Sequence, residues 1–208
     1  LGVLLSGRGS NFQAIHQAIV SGALAPAEVA IVISNRSAAP GLAYAESHGI
    51  PTAFVSAKAF DGLPAYDQEV LFHLQQAQVD VVVLAGYTKL LSHVLLSAYP
   101  GRIVNIHPSL LPAYGGMGMV GMKVHEAVVA AGETTSGCTV HLVTEEVDGG
   151  PILGQASVTV SPTDTPETLA AKVLTEEHRL YPQVLQRLIN EIIANNQPGG
   201  AAVLCSDL

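Results

Sequence analysis

The sequence predicts a single α/β domain: a mostly parallel, twisted sheet with helices on both faces and an antiparallel C-terminal part. Three observations lead there. Strand-like apolar runs alternate with helix-periodic segments through the first half, β-α-β-α-β-α-β-α-β, which implies right-handed crossovers and parallel pairing. Val79 to Ala85 is continuous and valine-rich, as a strand covered on both faces must be. Gly137 to Val143 and Ile152 to Val160 alternate instead, and read as paired strands partly exposed on one face.

Each element has its own signal. Val3 to Leu5 is a first, buried strand, and Ser6 to Asn11 a glycine-rich loop. Phe12, Ile15 and Ile19 carry helical spacing to Val20, with Ser10 or Asn11 as the N-cap. Val29 to Ile33 is the second strand, Gly41 to His48 a short helix and Thr52 to Val55 the third strand. Tyr66 to Gln78 is a helix with Val70, Leu71 and Leu74 on one side. After the valine-rich strand come a helix over Ser92 to Ala98 and a strand over Ile103 to Ile106. A Gly/Met-rich stretch leads into a helix over Val120 to Ala131. Pro166 to Ala194 is a long helical region, which Pro182 is expected to break or kink. The tail from Asn195 to Gly200 is loop-like, and Ala201 to Cys205 is a short edge strand or a frayed end. This architecture is Rossmann-like.

The 208 residues fit one domain, since about 100–200 residues per domain is the ordinary expectation. A hydrophobic content of 49% supports a large, two-sided core. With 9 basic against 17 acidic residues, the balance disfavours nucleic acid or an anionic membrane as partner. No apolar stretch approaches the roughly 20 residues needed to cross a bilayer. Cys138 and Cys205 make neither a disulfide framework nor a metal-ligand spacing, and read as free thiols in a reducing cytoplasm.

The chemistry concentrates in Asn105-Ile-His107-Pro-Ser-Leu-Leu-Pro112. Asn105 and His107 sit where a strand runs out, and side chains two apart share one face. Pro108 and Pro112 stiffen the exit. Asp148, followed by Gly149 and Gly150, is a carboxylate able to reach the same pocket. Asn, His and Asp together read as oxyanion donor, acid/base and orienter, a set suited to acyl-type transfer. Blander roles exist for each: a carbonyl-capping loop histidine, an amide at a strand end, a turn-forming aspartate. His141, on an alternating strand, reads as packed or surface. His125 and His178 read as pocket-lining or structural, and no pair of them has metal spacing, so no metal is expected.

Ser6-Gly7-Arg8-Gly9-Ser10-Asn11 joins a strand to a helix start. Glycines admit a ligand close to the backbone, and helix-terminal N–H groups favour phosphate. The alternative is a tight turn with no ligand. The spacing is neither a dinucleotide fingerprint nor a P-loop. Ser34-Asn35-Arg36 also lacks the ribose-binding acid of a dinucleotide fold. A small phosphomonoester is the favoured ligand, and a dinucleotide-binding oxidoreductase or sensor domain is the rival of a different class.

Taken together, the chain resembles the phosphoribosylglycinamide formyltransferases, folate-dependent enzymes of purine synthesis. Six segments carry the likeness in order: Ser6–Asn11, Leu84-Ala-Gly-Tyr-Thr-Lys-Leu-Leu91, Asn105–Pro112, Gly137-Cys-Thr-Val-His141, Val147-Asp-Gly-Gly150, and Glu177-His178 with Tyr181-Pro182. The resemblance implies a formyltransferase fold over 1–208. Residues 1–100 would form the phosphate and ribonucleotide half, 101–195 the catalytic and folate half, and 196–208 a tail. It implies that Gly9, Ser10 and Asn11 hold the phosphate of glycinamide ribonucleotide and that Glu177 meets its ribose. It places the pterin of 10-formyltetrahydrofolate, the formyl donor, against Thr88, Lys89, Leu90, Leu91, Asn105, Val143, Thr144 and Val147. Asn105, His107 and Asp148 match the family's catalytic trio, and Leu111–Pro112 its cis bond. It further implies a cytoplasmic enzyme, monomer or homodimer, acting on small molecules.

Three departures stand out. Relatives often have a basic residue near Leu63, Lys where Met117 stands and an aromatic where Val120 stands; these bear on ligand affinity and leave the chemistry untouched. Other folate-formyl enzymes share the Asn-x-His and Asp motifs. A formyltetrahydrofolate deformylase is expected to carry an extra N-terminal domain. A methionyl-tRNA formyltransferase is expected to carry a C-terminal domain and a basic surface.

Overall fold

Seven strands form one sheet in the order β3-β2-β1-β4-β5-β6-β7. The structure is a computed structural model and describes residues 1–196. The first five strands are Gly2–Leu5 (β1), Ile31–Ser34 (β2), Thr52–Phe54 (β3), Val82–Leu84 (β4) and Ile103–His107 (β5). Their pairings are all parallel. Thr135–Leu142 (β6) and Ile152–Thr159 (β7) add to the β5 edge in antiparallel fashion. The helices are Ser10–Val20 (α1), Pro40–Ser47 (α2), Leu63–Gln76 (α3), His93–Ala98 (α4), Met122–Ala130 (α5) and Pro166–Asn196 (α6), with a 3-10 turn at Ala57–Ala59.

Alternation along each strand divides the core in two. Val3, Leu5, Val83, Val104 and Ile106 pack with α1, α2, α5 and α6. Leu4, Val82, Leu84 and Ile103 pack with α3 and α4 on the other face. Both faces of the parallel strands are therefore covered, which is why their sequences read as unbroken apolar runs.

Several expectations need correcting. The N-cap of α1 is Gly9, not Ser10 or Asn11; it adopts φ 70, and no side chain caps the helix. Glycine reaches this left-handed conformation without the Cβ penalty of other residues. Strand β6 is buried over nearly its whole length, whereas only β7 shows the expected partial exposure. Helix α6 covers β6, so its alternating sequence does not report an open face. Pro182 does not break α6, which runs unbroken from Pro166 to Asn196. An interior proline costs roughly 3 kcal/mol. Burial of Leu180, Tyr181, Val184 and Leu185 around it outweighs that cost. The expected edge strand at Ala201 to Cys205 lies outside the described residues.

Tyr181 ties this long helix to the sheet. It is fully buried, and its hydroxyl lies 3.0 Å from the Leu84 carbonyl and 2.9 Å from the Val104 carbonyl. Both carbonyls belong to the strands that carry the candidate site. Tyr181→Phe is expected to lower folding stability by about 1–3 kcal/mol, because buried acceptors lose their donor. Urea denaturation with an unchanged m-value is the check.

Candidate active site

Register creates the central cluster. Asn105 of β5 pairs directly opposite His141 of β6, so both side chains stand on one face of the sheet. His107, two residues on, shares that face. A one-residue slip would turn Asn105 and His107 to the opposite side. The β6–β7 loop then carries Asp148 to the cluster. Its carboxylate lies 3.5 Å from His107 Nδ1 and 3.6 Å from His141 Nε2. These are close contacts rather than hydrogen bonds. His107 and His141 are 4% and 2% exposed, so water is largely excluded from the imidazoles.

Hydrogen bonds set the proton positions. His141 Nδ1 donates to the Leu142 carbonyl at 2.9 Å, which leaves Nε2 as an acceptor in the neutral ring. Asn105 Nδ2 stands 3.1 Å from that Nε2 and donates to it. Burial pushes the His141 pKa down and keeps the ring neutral, against the pull of the Leu142 carbonyl and Asp148. An amide nitrogen carries two N–H groups; His141 orients Asn105 through one and leaves the other for a ligand. His107 Nε2 donates to the Tyr114 carbonyl at 2.9 Å while Nδ1 faces Asp148. Both ring nitrogens thus face oxygen, Nε2 in a hydrogen bond and Nδ1 in a close contact.

Asp148 is itself held. It adopts φ 56, and its Oδ2 accepts from the Gly116 backbone N–H at 2.9 Å. Two residues on, a Cβ at Gly150 would stand 1.9 Å from the Leu142 carbonyl oxygen. Only glycine lets the loop return this close to β6. The Leu111–Pro112 bond is cis, as the resemblance implied.

The second part of the site surrounds the first loop. Gly9 and Ser10 open α1 with backbone N–H groups that no side chain caps, a ready place for an anion. The Asn11 side chain points elsewhere: its Nδ2 donates to Glu177 Oε2 at 2.6 Å, in the buried interior. Glu177 is 7% exposed, and burial pushes its carboxyl above the ordinary carboxylate range while the Asn11 bond pulls the other way. Asn11 and Glu177, both expected to meet the ribonucleotide, are thus joined to each other by this hydrogen bond.

The third part follows β4. Thr88, Lys89 and Leu90 are exposed and Leu91 is half-buried. Ser6 Oγ donates to Asn35 Oδ1 at 2.6 Å and accepts from Thr88 N at 2.9 Å, which bolts this segment to the Ser6–Asn11 loop. Strand order reverses between β1 and β4, and open α/β sheets bind ligands at such a switch point. Val143 and Leu91 both pack on the α3/α4 face of the core. Thr144 is exposed and Val147 half-buried beside Asp148.

Comparisons with known proteins show the family to which this fold belongs. The family model described as "Formyl transferase" matches residues 1–185. This chain belongs to the formyl transferase family. Within it, the chain is 45% identical over 202 residues to the chloroplastic phosphoribosylglycinamide formyltransferase of Arabidopsis thaliana, covering 96% of this chain and 68% of that protein. It is 43% identical over 183 residues to the phosphoribosylglycinamide formyltransferase of Escherichia coli K12, covering 88% and 84%. The crystal structure of glycinamide ribonucleotide transformylase 1 from Symbiobacterium toebii matches with TM-score 0.87 at 42% identity, covering 91% of this chain and 87% of that one.

As a formyl transferase, the chain has two site features that sequence reasoning missed. His141 is packed, one of the two places its alternating strand allows, and it also stands between Asn105 and Asp148. Cross-strand pairing with Asn105 is what brings it there, and sequence does not reveal register. The Tyr114 carbonyl and Gly116 N–H are backbone groups, invisible to any reading of side-chain types. Among the described residues, no group of three or more His, Cys, Asp or Glu side chains is arranged to hold a metal.

Burial also holds His125 and His178 below the ordinary histidine value of 6.5. For a depressed histidine, the unfolded chain takes up the proton first as pH falls. The stability contributed by His125, His141 and His178 is therefore present above 6.5 and lost as pH drops through their folded values. NMR titration of the folded protein is expected to find these three imidazoles half-protonated only below pH 6.5.

Proposed function

We propose that this chain transfers the formyl group of 10-formyltetrahydrofolate to the amine of glycinamide ribonucleotide, giving formylglycinamide ribonucleotide and tetrahydrofolate in de novo purine biosynthesis. The observation that carries the reading is the meeting of Asn105, His107 and Asp148 at one shielded point. Relatives named phosphoribosylglycinamide formyltransferase, aligned over most of the chain, favour it over a deformylase.

In this reading the substrate amine attacks the formyl carbon. A C–N bond forms, the carbonyl becomes a tetrahedral oxyanion, and the bond from that carbon to folate N10 then breaks. The amine proton passes to N10 of the departing tetrahydrofolate. Asn105, through the N–H that His141 leaves free, and a protonated His107 donate to the oxyanion. For His107 this requires the Tyr114 carbonyl to give up its bond. A donor aimed at developing charge contributes about 10²–10³ in rate. Asp148 steadies His107 and carries the amine proton, directly or through one water.

Gly9 and Ser10 hold the phosphate through backbone N–H groups, and Glu177, steadied by Asn11, meets the ribose. The pterin lies against Thr88 to Leu91, Asn105, Val143, Thr144 and Val147. No metal takes part in this scheme. Residues 1–100 then supply the phosphate loop and 101–195 the chemistry, with Thr88 to Leu91 of the first half meeting the folate and Glu177 of the second meeting the ribose. Among the described residues, no helix is long and apolar enough to cross a membrane. A cytoplasmic place belongs to the same proposal, with a plastid as the other compartment because plant relatives are named chloroplastic.

The decisive experiment mixes purified protein, 10-formyltetrahydrofolate and glycinamide ribonucleotide and follows the absorbance of the released folate. Folate release that depends on the ribonucleotide is expected; release without it would mean deformylation and overturn the assignment. Asp148→Asn and His107→Ala are each expected to lower kcat by at least about 10²-fold, with folate affinity by titration nearly unchanged. Near-normal turnover in Asp148→Asn would refute the role given to that carboxylate.

A further inference from the structure

Asp67 is an anomaly outside the catalytic cluster. It lies on α3 with no exposed surface, and no cation is paired with it among the described residues. Its Oδ2 accepts from the Ser92 backbone N–H at 2.5 Å, and its Oδ1 is buried without a partner. Burying a carboxylate this way is costly, and a core position on α3 could be filled by an apolar side chain at no such cost. The hydrogen bond it makes points to what it does.

Ser92 is the N-cap of α4 and ends the segment that begins at Tyr87. At the other end, Tyr87 Oη meets Tyr66 Oη at 2.5 Å. Tyr66 is the neighbour of Asp67 on α3 and is 1% exposed. Two adjacent residues of one helix therefore grip both ends of the Tyr87–Ser92 segment. Between the grips, among the described residues, the side-chain hydrogen bonds that hold it from the β1 side are those of Ser6 to Thr88. The exposed stretch Thr88–Leu90 has little packing of its own to set its path.

We propose that Asp67 is a positioning residue for the formyl donor: with Tyr66 it clamps the Tyr87–Ser92 segment in the path that receives the pterin. The inference rests on the folate role given to Thr88–Leu91 under the proposed function. Asp67 touches neither substrate nor reacting atoms and acts only through the backbone it holds. Burial raises the Asp67 pKa, while the Ser92 N–H and the charge of His93 lower it.

Asp67→Ala removes the acceptor, and Asp67→Asn keeps an amide oxygen for the Ser92 N–H while discarding the charge. Asp67→Ala is expected to raise KM for 10-formyltetrahydrofolate by about tenfold, the worth of one good hydrogen bond in a positioned segment. KM for glycinamide ribonucleotide and kcat are expected to stay within about twofold. Asp67→Asn should restore most of the donor KM. Hydrogen exchange of the backbone amides from Gly86 to His93 should quicken in Asp67→Ala and not elsewhere in the sheet. Tyr87→Phe keeps the ring, removes the second grip and should raise the donor KM by about threefold, so the clamp stays testable if Asp67→Ala does not fold. Donor KM values unchanged in these variants would overturn the clamp. An equal loss for both substrates with a matching fall in stability would overturn it too, by making Asp67 a general core residue. A wild-type protein that transfers no formyl group would instead defeat the proposed function, which separates the two failures.

Discussion

Strand β5 lies between a parallel neighbour, β4, and an antiparallel one, β6, and the site depends on that change of direction. Parallel pairing on one side puts the end of β4 next to β5 and that of β1 one strand further, so the Ser6–Asn11 loop and the segment after β4 lie at the same edge of the sheet. Antiparallel pairing on the other side sets His141 opposite Asn105. The side chains of one strand then acquire a cross-strand partner that a wholly parallel sheet, with its helical crossovers, would supply from a different part of the chain.

Burial gives these contacts their consequences. His141, nearly inaccessible to water, is held neutral and can therefore accept from Asn105. That bond fixes which end of the amide points at His141 and so fixes where its other N–H aims. Asp148 is positioned by a backbone donor from the segment between β5 and α5, and Glu177 by an amide from α1. Each carboxylate of the site thus has a dedicated partner from a distant part of the chain. Displacing any one element disturbs a charge that cannot easily be left without a partner in a dry setting.

The fold was legible where hydrophobic periodicity was unambiguous. The strands around Val3, Val82 and Val104 and the helices around Ile15 and Val70 follow directly from their patterns. Reading failed where tertiary contacts override local preference. Pro182 sits inside an unbroken helix because its neighbours are deeply buried, and β6 alternates in sequence yet is covered by α6. Gly9 rather than a serine or asparagine caps α1, since the turn needs a left-handed backbone more than it needs a side-chain acceptor.

Of the site, residue types and their spacing along β5 could be read from the chain alone, because a strand's period of two puts Asn105 and His107 on one face wherever it pairs. Asp148 and the glycines behind it were also visible, as a carboxylate on a tight loop. Register was not, and neither was any backbone donor. His141 joins Asn105, Asn11 joins Glu177 and Asp67 joins Ser92 only in three dimensions. The amino-acid order determined which chemical groups exist and which way each local segment turns them. The folded packing decided which of them meet, because contacts between residues far apart in the chain depend on burying both sheet faces at once, a condition no local stretch can express.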